Sequence, residues 1–309
     1  MFFGAPVWPL QWGFPYDKPI RDIARLGCKG VELIGWDKAA FTDYYSPATI
    51  AHLNDLIAGL GMAVTNFDYS PGRLASEDAA ARAEDRDTFK RAVETAVGLG
   101  SKNLTSVPPY PFSWGDNVMA LRHLPEVQVW TVQGDLNLDW KGNYELYLEE
   151  VRFCCELCKE AGLKLLLEPH PYRYVNSATS LMHIIDKVGM DNLGMNFDPS
   201  HLFPSGDMPQ ITVYRLGDRI GHTHFSDNDA LTNVHWRPGK GKVDWKAVMK
   251  ALQFVGYDGA INLELEDVPG AATPDAATAT DVETAMEHEM KLGMEYIAGI
   301  CEELGINIS

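Results

Sequence analysis

The sequence predicts an α/β protein, a (β/α)8 TIM barrel, on three observations. Eight short strand-like runs alternate with helical patterns along all 309 residues, the rhythm of a parallel α/β fold. Four runs end in a metal-ligand side chain: Leu165-Leu166-Leu167-Glu168, Leu193-Gly194-Met195-Asn196-Phe197-Asp198, Ile220-Gly221-His222-Thr223-His224 and Ala260-Ile261-Asn262-Leu263-Glu264. The long polar stretches all follow the downstream ends of strands, where a barrel of parallel strands carries its site. One domain is expected over 1–309, with an aromatic-rich insertion after the fourth strand.

The first strand, Phe2 to Val7, leads to a helix from about Pro19 to Leu26, with Asp17 available as its cap and Gly27 as its stop. Strand two, Gly30 to Ile34, precedes a helix opened by Ser46-Pro47 and continued by Leu53, Leu56, Ile57 and Leu60. Strand three, Ala63 to Phe67, precedes a helix from about Glu84 to Leu99. Strand four, Asn103 to Val107, is parted from its helix, Tyr144 to Ala161, by residues 108–142. That stretch is far longer than a usual βα loop and holds Tyr110, Phe112, Trp114, Trp130 and Trp140. Strands five and six, Lys164 to Glu168 and Leu193 to Asp198, are followed by Thr179 to Val188 and by a short segment around Met208 to Leu216. Strand seven, Ile220 to Phe225, opens a polar loop, 226–244, and a helix from Trp245 to Val255 after Asp244. Strand eight, Ala260 to Glu264, opens an Ala/Thr/Pro-rich stretch, 267–281, before a final helix from about Val282 to Leu304.

Composition narrows the partners. A net charge of −17 repels phosphate backbones and anionic lipid, so nucleic acid and membranes are poor partners and an uncharged small molecule fits better. No apolar run approaches the roughly 20 residues of a membrane span, and Met1-Phe2-Phe3-Gly4-Ala5-Pro6 lacks a basic segment followed by an apolar one, so a cytoplasmic protein is expected. Among the five cysteines, Cys154, Cys155 and Cys158 crowd one helical turn with no second CxxC, which reads as buried thiols on a packed helix.

Metal binding needs deprotonated donors converging on one point, and the last inward residues of successive barrel strands do converge. Glu168, Asp198, His224 and Glu264 are therefore candidate ligands of one divalent metal. Three carboxylates and one imidazole form a hard set, for which Mn2+ is the first choice and Mg2+ or Co2+ the next. Glu264 and Glu266 share a face of their strand, and the spacing from Tyr257-Asp258-Gly259 favours Glu264 for the fourth position. His170 lies two beyond Glu168 and can project from the same rim, where an imidazole can move a proton; His222 faces inward one layer below His224.

These residues sit in motifs that resemble those of the xylose isomerase-like barrels, a superfamily of sugar isomerases and epimerases that includes endonuclease IV. The resemblance rests on Leu167-Glu168-Pro169-His170, Asn196-Phe197-Asp198-Pro199-Ser200-His201, Gly221-His222-Thr223-His224, the run from Pro238 to Trp245, the run from Gly256 to Glu264, and Gly27 to Leu33. It implies that Glu168, Asp198, His224 and Glu264 are metal ligands and that His201 contacts substrate. Ketose 3-epimerases of this superfamily carry a second Glu six residues after the first metal Glu and an Arg six after the metal His; here those positions are Tyr174 and Ala230. The endonuclease branch needs extra histidines absent from Asn66-Phe67-Asp68 and Thr105-Ser106-Val107, although His201 and His235 echo its pattern.

The expectation is an enzyme that abstracts a proton next to the carbonyl of a sugar, with Glu168, Glu264 and His170 as candidate bases. His201, His235, Arg237 and Trp114 are the candidate substrate contacts. Returning the proton makes an isomerase or epimerase. Expelling a group β to the carbonyl makes a lyase, as in the large subunit of bacterial C-glycoside deglycosidases, which act on 3-oxo-glycosides. The aromatic insertion is either a lid over a sugar or glycoside, or an interface in a homo-oligomer or with a small partner subunit. A non-catalytic sugar-binding barrel is the rival from another class, and its signature, a lost metal ligand, is not present in the sequence.

Overall fold

Eight parallel strands close into one barrel in chain order, each hydrogen-bonded to its sequence neighbours and the first to the last. They are β1 Phe2–Pro6, β2 Gly30–Ile34, β3 Ala63–Asp68, β4 Asn103–Ser106, β5 Lys164–Leu167, β6 Leu193–Phe197, β7 Ile220–Phe225 and β8 Ala260–Leu263, each within a residue of its expected bounds. The computed structural model describes residues 1–111, 139–268 and 280–309.

The helices are α1 Asp17–Arg25, α2 Pro47–Gly59, α3 Ala79–Gly98, α4 Trp140–Glu160, α5 Ala178–Val188, α6 Pro209–Leu216, α7 Trp245–Phe254 and α8 Thr280–Leu304. Their starts follow local capping. Ser46 and Asp244 accept from Thr49 N and Ala247 N at the heads of α2 and α7, as their sequences predict. Two helices begin four or five residues earlier than periodicity suggests, because Asp78 accepts from Ala80 N and Asp139 from Gly142 N. Tyr16 occupies the cap position of α1, so Asp17 lies inside the first turn, where it meets His52 at 2.5 Å. Gly27 ends that helix at φ +93°, a left-handed conformation open to glycine. A π-helical turn, Ala40–Tyr44, and a one-turn helix, Pro199–Leu202, were not predicted.

An apolar shell between sheet and helices holds Ile20, Ile23, Leu53, Phe89, Leu181, Val248 and Leu252, all fully buried. Cys154, Cys155 and Cys158 belong to it, and burial pushes the Cys155 thiol up to about 12. The space inside the strands is different. Barrel interiors are usually filled by branched apolar side chains, but here Glu32, Asn66, Thr105, Asn196, His222, His224 and Asn262 are all buried there. Gly4 makes room for this layer, since a Cβ on it would lie 2.2 Å from Asn262 Oδ1.

Candidate active site

Glu168, Asp198 and Glu264 each stand one residue past a strand, and His224 is the penultimate residue of β7. The barrel brings them to one place: one ligand-type atom from each lies within 4.8 Å of the others. Between Glu264 and Glu266, the geometry selects Glu264 for this group. His224 Nδ1 is 2.6 Å from Glu168 Oε1 and 3.3 Å from Glu264 Oε2. Asp198 is also the cap of the one-turn helix, accepting from Ser200 N at 2.7 Å, so the turn fixes its carboxylate. Trp8, just beyond β1, donates its indole N–H to Glu264 Oε1 at 3.0 Å.

Opposed fields act on this group. Burial pushes Glu168 well above the ordinary carboxylate range against the pull of His224. Burial alone would lower His224, but Glu32, Glu264 and Glu168 hold its imidazolium well above the usual histidine value. The donors suit a hard divalent cation: they are buried, convergent and mostly carboxylate, and Glu264 Oε2 has no hydrogen-bond partner among the described residues.

Beside the four runs a ladder of imidazoles. His170 lies with Nδ1 3.8 Å from Glu168 Oε2, and its ring centroid is 3.5 Å from that of His201, which is 4.6 Å from His235. His235 Nε2 reaches Asp198 Oδ2 at 3.1 Å, and His201 Nδ1 meets Asn233 Oδ1 at 2.8 Å. Burial, then the neighbouring His201 and Arg173, hold His170 well below the usual histidine value, so it is neutral at neutral pH.

The remaining candidates lie differently. Arg237 Nε is 3.2 Å from Glu289 on α8, and Lys240 is 3.8 Å from the same carboxylate. Their loop wraps a buried Asp227, which accepts from Gly239 N, Val243 N and Trp245 Nε1 at 2.9–3.0 Å. Much of the run from Pro238 to Trp245 is thus a scaffold for the loop carrying His235. Trp114 and the other insertion residues from 112 to 138, and the stretch 269–279, lie outside the described residues. Trp140, by contrast, opens α4, beside Tyr144 and Tyr174. Tyr174 bonds Asn143 and stacks on Tyr147 at 4.5 Å, a packing role.

Sequence reading missed four contributors. Glu32, the centre of a buried strand, accepts from His224 Nε2 at 2.8 Å, Asn66 and Asn262 at 2.6 Å, and contacts His222 at 3.0 Å. Burial would raise it, yet His224 and His222 hold it well below the carboxylate range, so it stays ionised beneath the mouth. Its signals were a charged residue inside the fully buried run Gly30–Ile34 and its place in the motif from Gly27 to Leu33. Asn196 joins Glu168 and His224. Asp68 ends β3, and burial, followed by the field of Glu32, pushes its carboxyl up to about 8. Trp8 carries no motif and is placed only by closure of the barrel.

Barrel and mouth together define an α/β barrel with an acidic, imidazole-flanked centre at its C-terminal face. The family model described as "Xylose isomerase-like TIM barrel" matches residues 20–292, and the chain belongs to that family. It is 23% identical over 268 residues to D-psicose 3-epimerase of Agrobacterium fabrum, covering 83% of this chain and 81% of that one. It is 24% identical over 258 residues to fructoselysine 3-epimerase of Shigella flexneri, covering 81% and 85%. Its fold matches that of a 3-keto-D-glucoside 4-epimerase from E. coli with a TM-score of 0.71, over 97% and 99% of the two chains at 18% identity. Among the described residues, no helix is long and apolar enough to cross a membrane.

Proposed function

We propose that this chain is a metal-dependent enzyme that acts on a carbonyl sugar by abstracting a proton next to the carbonyl, in the manner of an isomerase or epimerase. The observation that carries this reading is the convergence of Glu168, Asp198, His224 and Glu264 beside the neutral imidazole of His170. The named activities of the relatives, 3-epimerases of free and substituted ketoses and a 4-epimerase of a keto-glucoside, support the same class.

The four residues would hold one divalent ion, Mn2+ first and Mg2+ or Co2+ next. When bound, such an ion supplies Lewis-acid polarisation of the sugar carbonyl. His170 is the base we favour, because the ring is deprotonated at neutral pH, only partly buried and beside Glu168. Glu168 and Glu264 remain the alternatives. On this reading His201 and His235 contact substrate hydroxyls, which their position beside Asp198 and His170 supports, whereas Arg237 is engaged with Glu289 and is the weakest of the substrate-binding candidates. Trp114 is kept as a lid candidate, and a homo-oligomer or a small partner subunit as a further proposal.

The test is NMR in D2O with Mn2+, offering D-fructose, D-psicose and methyl 3-oxo-β-D-glucoside. Deuterium should enter at the carbon next to the carbonyl, and exhaustive EDTA should abolish it. Activity that survives EDTA would sink the metal reading. Release of the aglycone in place of an epimer would move the chain to the lyases. His170→Ala should keep metal content near normal and slow exchange by about 10²-fold or more, the usual scale for losing a general base. Full activity with an unchanged pH profile would pass the role to Glu168 or Glu264.

A further inference from the structure

Trp8, Trp36 and Trp12 form an aromatic wall leading outward from the four-residue group. Trp8 is anchored to it twice, by its N–H on Glu264 and by an edge contact with His224 at 5.7 Å between ring centroids. Trp36, two residues past β2, stands edge-on to Trp8 at 6.0 Å. Trp12, in the loop after β1, stacks on Trp36 at 4.9 Å with 26° between the planes. The wall runs from fully buried beside the carboxylates to open at its end: Trp8 is 3% exposed and Trp36 42%.

Two features mark Trp36 as a binding surface. Its indole N–H already donates to Trp12 O at 2.6 Å, so the ring offers an incoming molecule its apolar surface and not a donor. Its backbone is also held. Gly35 N donates to Asp68 O at 2.9 Å, Asp37 Oδ1 accepts from Ala39 N at 2.8 Å, and a Cβ on Gly35 would strike the Phe41 ring at 2.5 Å. A large exposed aromatic fixed beforehand loses little freedom when something stacks on it.

We propose that Trp36, backed by Trp12, is a subsite for a second, flat ring carried by the substrate beyond the reacting sugar, so that the preferred substrates are ring-bearing glycosides and not free monosaccharides. The inference rests on the reading of the mouth as a sugar site. The ring is an aromatic aglycone or the C–H face of a second pyranose, chemistries that an indole face accepts alike.

The test is fluorescence titration of the Mn2+-loaded protein with methyl β-D-glucopyranoside, phenyl β-D-glucopyranoside and cellobiose. Phenyl glucoside or cellobiose should bind at least tenfold tighter than methyl glucoside, about 1.4 kcal/mol, and the tighter of the two identifies the ring. In Trp36→Ala that preference should shrink to about twofold, and Trp36→Phe should restore most of it while also guarding against a misfolded Ala variant. Equal affinities for all three ligands, absence of saturable binding by either ring-bearing ligand, or a preference untouched in both variants would overturn the proposal. Failure of the underlying reading shows elsewhere, as absent deuterium exchange on every carbonyl sugar offered, and is read independently of these affinities.

Discussion

Glu32 illustrates how one side chain can govern a site it does not enter. By accepting from His224 Nε2, it leaves Nδ1 directed at Glu168 and Glu264, and in the proposed metal site a carboxylate behind the imidazole would fix both ring orientation and basicity. Glu32→Gln should therefore lower Mn2+ affinity about 10- to 100-fold, measured by titration calorimetry, without changing the number of ions bound. Unchanged affinity would reduce Glu32 to a packing role. Asp68 makes a prediction of opposite kind. Its carboxyl is pushed up to about 8 in the fold, against roughly 4 in an unfolded chain, so between those values the native state holds a proton that the unfolded state has released. Its contribution to stability is therefore fully present below about pH 4 and lost as pH rises towards 8. In EDTA, the urea midpoint of Asp68→Asn should gain on that of the parent protein as pH rises from 5 to 8. A gain in the other direction would mean that Asp68 is ionised in the fold.

At the scale of elements, the loop 226–244 is held from within. Asp227 takes three hydrogen bonds from Gly239, Val243 and Trp245, and its backbone pairs with Trp236. A buried acceptor serving several donors cannot be removed cheaply, because each donor left without a partner costs about 1–3 kcal/mol. Asp227→Ala should lower stability by about 3 kcal/mol or more and open the loop to proteolysis between 228 and 243, with His235 losing its register on Asp198. Equal protease resistance in parent and variant would show that the apolar contacts of Trp245 and Val243 suffice. The helix pair α3–α4 is clamped in a similar way, by Arg86 bonded twice to the buried Glu150 at 2.6 and 2.8 Å.

For the molecule as a whole, charge decides what reaches the mouth. The chain carries −17, and of the basic cluster in the loop after β7, Arg237, Lys240 and Lys242, the first two face Glu289. Free sugars should therefore bind as well as their phosphates. In matched affinity measurements, a preference for the phosphate above tenfold, about 1.4 kcal/mol, would refute this, and rising salt should weaken any preference that exists.

Periodicity and capping made the barrel legible because they are local. Alternating strand and helix patterns placed all eight strands within a residue, and Ser46, Asp244 and Gly27 marked boundaries by chemistry confined to a few neighbours. The four strand-end donors were legible for a related reason: in a parallel barrel, residues at strand ends must share one rim, so Glu168, Asp198, His224 and Glu264 could be expected together without knowledge of any long-range contact. Only the tertiary structure decided what lies beneath and beside them. Glu32 and His224 are 192 residues apart and Trp8 and Glu264 256, and neither contact has a local signature. The engagement of Arg237 with Glu289 and the ladder of His170, His201 and His235 likewise depend on strand register and barrel closure, which sum many weak contacts across the chain.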